Sequence, residues 1–193
     1  MNRLFIFVFL IPLWFSFCKN AVSSTADQPN KSYELLFLLN QKFIDSFYWE
    51  GLMDISACTT TPENLLGCNL YRENYKNFLR SRTKNLFVYA DTIQKTGNLQ
   101  FEIAHPQKLD FIKYEIPVSV DVEIGPETGS GVARILVLKN TNPISQDGIS
   151  LILNEFRADV LEDGLRGSLK VNLKDQENLN LNLTFSFNIK KRL

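Results

Sequence analysis

Leu179-Asn180-Leu181-Asn182-Leu183-Thr184-Phe185-Ser186-Phe187-Asn188-Ile189 is the stretch that decides the fold class of this chain. Every odd-numbered position is apolar, and every even-numbered one is Asn, Thr or Ser. Side chains alternate between the two faces of a strand, so this pattern describes a strand with one dry and one wet face, as in antiparallel sheets. The same period of two recurs upstream. Leu165, Gly167, Leu169, Val171 and Leu173 alternate with Arg166, Ser168, Lys170 and Asn172. Val118, Val120, Val122 and Ile124 alternate with Ser119, Asp121 and Glu123, and Leu99, Phe101 and Ile103 with Gln100 and Glu102. Turn-forming clusters separate them: Thr96-Gly97-Asn98, the run from Gly125 to Gly131, Gln146-Asp147-Gly148, Glu162-Asp163-Gly164, and Asp175 to Asn178. The expectation is about seven to nine strands joined as hairpins, in a sandwich or a partly open barrel.

Before Leu86 the period is 3.6 rather than 2. Ser32 is placed to cap a helix starting at Tyr33, with Leu36, Leu39, Phe43 and Phe47 as its apolar stripe, Ile44 and Tyr48 widening it, and Gly51 as its stop. Lys42 is the only cation between Ser32 and Trp49, so the stripe is expected to pack on the sheet rather than lie on a membrane. Phe43 and Phe47 would then meet residues such as Leu181, Leu183, Phe185 or Phe187. Thr61-Pro62-Glu63 starts a short turn that Gly67 would end, and a second helix is predicted from Leu70 to Arg82 through Leu70, Tyr71, Tyr75, Phe78 and Leu79. The predicted class is α+β, mainly β, with N-terminal helices packed on the antiparallel strands. Residues 1–18 read as a signal peptide, 19–31 as a flexible tether and 32–193 as one domain of helices and antiparallel strands.

The leader rests on Arg3 followed by an apolar run from Leu4 to Phe17, too short for a transmembrane helix of roughly 20 residues. Three endings stay open. Cys18 is the lipid-modified first residue of a lipoprotein, although Phe17 departs from the small residue usual before such a cysteine. Alternatively, a peptidase cuts after Ala26, with Ser24 and Ala26 as the small-residue pair, or the segment stays uncleaved as an anchor. The chain has three cysteines. With Cys18 spent on the leader or the lipid, Cys58 and Cys68 remain, and an even remainder in an oxidising compartment reads as one disulfide. The short loop it closes is worth a little under about 3 kcal/mol, and it would staple a helix–helix connection.

The final hairpin, "RGSLKVNLKD" from Arg166 to Asp175 and "LNLNLTFSFNI" from Leu179 to Ile189, resembles small β domains of uncharacterised exported bacterial lipoproteins, of the spirochaete type in its Phe, Asn, Lys and Leu usage. The resemblance implies an extracytoplasmic β domain in the cell envelope and brings no catalytic residues with it.

Basic and acidic residues balance at 21 each. Losing Arg3 with the leader leaves one acid in excess, so clustered positive charge for general nucleic-acid binding is missing. The local exception is Arg72, Lys76, Arg80, Arg82 and Lys84 against Glu73, read first as a solvated helix face and second as a surface for anionic headgroups. His105 is the single histidine. It stands before Pro106 without a Gly-x-Ser-x-Gly elbow or a second histidine, so it is assigned a structural or surface role and no metal or cofactor is expected. Two thiolates and one distant histidine do not complete a zinc site. Gly125 to Gly131 lacks the Lys-Ser/Thr ending of a phosphate loop, and Glu162-Asp163 is more simply a turn than a glycosidase pair. Asn182-Leu183-Thr184 is a glycosylation triplet set in a strand and is discounted. The leading function is an exported, membrane-anchored, non-enzymatic binding or structural domain for a protein or matrix partner, held at the membrane by a lipid on Cys18. The alternative is a carrier for an apolar small ligand in a barrel cavity. An enzyme with an unrecognised site and an outer-membrane barrel follow in that order.

Overall fold

A computed structural model describes residues 46–60, 65–128, 131–176 and 179–192. In chain order the elements are β1 (Ser46–Gly51), β2 (Met53–Thr60), α1 (Leu65–Leu79), β3 (Leu86–Asp91), β4 (Thr96–Ala104), β5 (Phe111–Thr128), β6 (Gly131–Lys139), β7 (Ile144–Gln146), β8 (Ile149–Val160), β9 (Gly164–Lys174) and β10 (Asn180–Arg192). All strand pairings are antiparallel. The order β1-β3-β4-β5-β6-β8-β9-β10 closes on itself, because β10 returns to β1 through Glu50↔Lys190, Trp49↔Lys191 and Tyr48↔Arg192. The result is a closed eight-stranded barrel with two added strands, not a sandwich or an open barrel. β2 takes over the edge of β10 where β1 leaves it, from Phe187↔Met53 to Leu181↔Thr60, and β7 pairs with β8.

The alternating patterns of β9 and β10 point as read except at Asn172, which is buried, and in β5 Ile124 is exposed rather than dry. Leu165, Leu169, Val171 and Leu173 of β9 and Leu181, Leu183, Phe185, Phe187 and Ile189 of β10 are buried in one core with Phe101, Tyr114, Ile116 and Phe156. The outer wall carries opposite charges: Asp121 with Lys139, Asp159 with Arg166 and Glu155 with Lys170 join neighbouring strands, and Glu123 with Arg157 reaches across β6 from β5 to β8. Ile135 and Val137 of β6 face outward within this ladder, flanked in register by Glu123, Asp159, Asp121 and Arg157, and stay only 9% and 7% exposed. The Glu123–Arg157 ion pair reaches across β6 on this face, where an Arg stem can cover apolar surface while its head stays in water. A lipid-facing barrel would reverse this arrangement, with apolar residues outward.

Gly167 illustrates how the wall is drawn tight. It pairs with Ala158 on one side and Phe187 on the other, and a Cβ there would run into the Arg157 carbonyl and Ala158. The small pair lets Phe156 and Phe187 stack beside it, ring centroids 5.2 Å apart. The β7–β8 turn, Asp147-Gly148, has positive φ at both residues (51° and 80°), the backbone of a two-residue type I′ hairpin.

Several expectations are corrected. Ser46 to Gly51 form a strand, so the predicted front helix does not reach Phe47 and Tyr48; its positions up to 45, Phe43 included, lie outside the described residues, as do Cys18 and the leader. Phe47 and Trp49 face the core as alternate strand residues, and Tyr48 turns outward onto Tyr89 at 5.0 Å. Gly51 is a close-approach residue beneath Ile189, not a helix stop. Gly67 lies within α1, which spans Leu65–Leu79 rather than Leu70 to Arg82. Thr96-Gly97-Asn98 opens β4; the turn precedes it, where Asp91 Oδ1 accepts from the Ile93 and Gln94 amides at 3.0 and 2.8 Å. Cys58 and Cys68 are bonded, with Cα atoms 5.7 Å apart. The bridge ties β2 to α1 rather than helix to helix.

Candidate functional site: the groove between the helix and the β4–β5 loop

α1 packs against β2 and β4, and β2 itself pairs with β10 alone among the described strands. Its apolar stripe turns Tyr71, Tyr75 and Phe78 inward, at the spacings of three and four that place residues on one helix face. Tyr75 meets Phe185 at 5.2 Å and Phe78 at 5.6 Å, and Phe78 meets Phe111 at 6.3 Å. Aromatic contacts thus run from the barrel interior out to the surface.

The polar seam beneath the helix is held by Asn85, fully buried just before β3. Its side chain imitates a strand neighbour for Met53, accepting from the Met53 amide at 2.8 Å and donating to the Met53 carbonyl at 3.3 Å. It also donates to the Tyr75 hydroxyl at 2.8 Å, which in turn donates to the Met53 carbonyl at 3.1 Å. Its backbone joins Gly51 and Glu102 at 2.9 Å each. One asparagine therefore satisfies backbone groups of β1, β2 and β4 that the sheet leaves unpaired. Burial pushes the Tyr75 hydroxyl far above its ordinary value, and the Asn85 hydrogen bond pulls the other way. Tyr75 is a neutral hydrogen-bonding post, not an acid.

Outside this seam is an open groove of about 240 Å³. One wall is α1 and its exit, with Asn74, Asn77, Phe78, Ser81 and Arg82; the other is Lys108, Leu109, Asp110 and Phe111, with Ala104 between them. The Arg82 guanidinium carbon lies 5.0 Å from the Phe78 ring centre and 4.6 Å from that of Phe111. A cation held over two rings is attracted by their electron-rich faces. Its Nε is 3.4 Å from Glu102 Oε2, an ion pair without hydrogen-bond geometry. Leu109 is 96% exposed and Phe111 42%. Fixed charge, amide and hydroxyl groups, and exposed apolar surface meet in this one concavity, which suits recognition.

His105 braces the loop wall from below. It is buried at the end of β4; its amide donates to the Asp110 carbonyl at 2.8 Å, and its Nδ1 accepts from the Gln107 amide at 3.0 Å. Burial, and then the Lys108 ammonium, lower its pKa below the ordinary 6.5, while the Asp147 backbone and carboxylate and Asp110 pull upward. Of the structural or surface role read from sequence, these contacts fit the structural one; the ring is not at the surface. Gln107 further donates to Asp175, joining this loop to the β9–β10 connection.

The remaining candidates scatter. Arg72 and Lys76 are exposed on the solvent side of α1 and Arg80 is exposed just after it, whereas Arg82 and Lys84 leave the basic run to pair with Glu102 and Glu50. Glu162 and Asp163 sit exposed in the β8–β9 turn. Among the described residues, no three His, Cys, Asp or Glu side chains gather for a metal, and no helix is long and apolar enough to cross a membrane. Sequence reasoning missed Asn85 and the Phe78–Arg82–Phe111 stack. A buried asparagine leaves no periodic signal, and Arg82 was absorbed into a charge run. No protein family, curated protein or solved structure matches the chain.

Proposed function

We propose that this is an exported, membrane-anchored, non-enzymatic binding domain that recognises its partner through the groove between α1 and the β4–β5 loop. The observation that carries the reading is the exposure of Leu109 and Phe111 beside a guanidinium already fixed in place. Preorganised donors and exposed aromatic surface are what binding loops on a rigid scaffold offer. The Cys58–Cys68 bond supports an oxidising compartment, and the Leu4–Phe17 run supports export. The anchor is assigned to a lipid on Cys18. A Cys18→Ala protein is expected to leave the membrane fraction, and retention there would remove the lipid from the account.

A second reading, a carrier of an apolar ligand, is favoured by the closed barrel itself. Eight strands enclose a space that is either just filled by side chains or holds one small molecule. Here the inward positions include Phe101, Tyr114, Phe156 and Phe185, all buried, which supports the filled case. Mapping small aromatic and carboxylate fragments by amide chemical shifts separates the two. The groove reading expects shifts at Asn77 and Lys108 to Phe111. Shifts centred on inward residues such as Phe101 and Leu169 would replace it with the carrier.

A further inference from the structure

We propose that His105 is a proton-operated latch on the loop wall of the groove: the neutral ring holds residues 105–110 closed by accepting the Gln107 amide, and a protonated ring releases them. Its bearing on recognition rests on the groove reading above; the latch itself does not.

The tautomer follows from the geometry. An Nδ1 that accepts from the Gln107 amide at 3.0 Å carries no proton, so the neutral ring holds its hydrogen on Nε2. That Nε2 is buried and has no hydrogen-bond partner among the described residues, and the Asp147 backbone and carboxylate both favour the protonated ring. Adding a proton places an N–H at Nδ1 directly against the Gln107 N–H. Two donors cannot share the contact, so one must move. The charged groups that face the ring are Lys108 and Asp110 from its own loop and Asp147 from the β7–β8 turn. Lys108 repels the imidazolium, whereas Asp147 and Asp110 attract it, so the moving part is the loop segment that carries Gln107 and Lys108. Lys108, Leu109 and Asp110, the next three residues, form the outer wall of the groove. Burial holds the ring neutral near pH 7, and the change comes as pH falls below about 6.5.

Because the chain has one histidine, its imidazole resonances need no assignment. They can be followed in the purified full-length protein by NMR from pH 7.5 to 4.5. The latch expects nitrogen shifts of an Nε2–H tautomer at pH 7.5 and a midpoint below 6.5. Amides from Gln107 to Phe111 should shift with that same midpoint. Exchange of the Gln107 amide, corrected for its intrinsic pH dependence, should rise roughly five- to tenfold relative to Ile112 once one hydrogen bond is lost. His105→Asn keeps an acceptor near the Nδ1 position and cannot titrate, so its loop should ignore this pH range. An Nδ1–H tautomer, loop amides indifferent to the histidine midpoint, or an unchanged response in His105→Asn would each overturn the latch. The titration needs no ligand, so a failed groove reading would appear separately, as fragments that bind elsewhere.

Discussion

Asn85 shows how much of this fold depends on single buried groups that no pattern announces. Replacing it with Ala strips the Met53 amide of its acceptor and the Tyr75 hydroxyl of a donor. Each orphaned buried group costs about 1–3 kcal/mol, so Asn85→Ala is expected to lose roughly 2–4 kcal/mol in chemical denaturation. A loss under about 0.5 kcal/mol, the range of ordinary surface changes, would mean that the seam does not need it. His105 sets a pH dependence whose sign follows from burial. Its folded pKa lies below 6.5, so on acidification the unfolded chain takes up a proton that the fold resists. Its contribution to the pH slope is nil well above 6.5. Stability then falls as pH drops from about 6.5 to the folded pKa, by no more than about 1.4 kcal/mol per pH unit, and levels off below it. His105→Asn should remove that part of the slope, which melts at pH 7 and pH 5 would show. At this scale the sequence was least informative: Arg82 and Asn85 acquire their roles from Phe111, Met53 and Glu102, all distant in the chain.

Among the elements, β9 and β10 were legible because each separates one core from one solvent face, and Leu181 to Ile189 obey that division residue by residue. The front was harder. Phe47 and Tyr48 satisfy a helical stripe and a strand equally well on paper. What decides is that β1 is needed between β3 and β10 to close the barrel, and pairing with distant strands outweighs a local period. The apolar spacing predicts α1 but starts it too late in the chain, because Gly67 reads as a stop although it is an interior helical residue near Leu181. The disulfide belongs to this scale. Reducing Cys58–Cys68, which encloses a short loop, is expected to cost about 2–3 kcal/mol and to loosen the start of α1 against β2. Melts with and without reductant, or of the Cys58→Ala/Cys68→Ala protein, measure it. An unchanged midpoint would mean that packing of Tyr71 and Tyr75 alone holds the helix.

For the whole molecule, the charged ladder of the outer wall and the groove beside α1 are different kinds of surface. The ladder pairs are exposed, and such pairs are worth little individually. Arg157→Gln is therefore expected to shift stability by less than about 1 kcal/mol and to leave binding unchanged. The groove instead presents Leu109 and Phe111 to solvent with Lys108 and Arg82 close by. The barrel that positions these loops could be read from alternation and turns, but its closure could not, because the β10–β1 pairing joins the first and last described strands, far apart in the chain. Nor could the groove, which α1 and the β4–β5 loop form only in three dimensions. Its role is tested most directly by a photo-crosslinking residue placed at Leu109 in cells, with a second at Glu123 on the ladder as the comparison. The account predicts one defined adduct from position 109 that Lys108→Glu weakens, and none from position 123. The same adducts from both positions, or none from position 109, would contradict it.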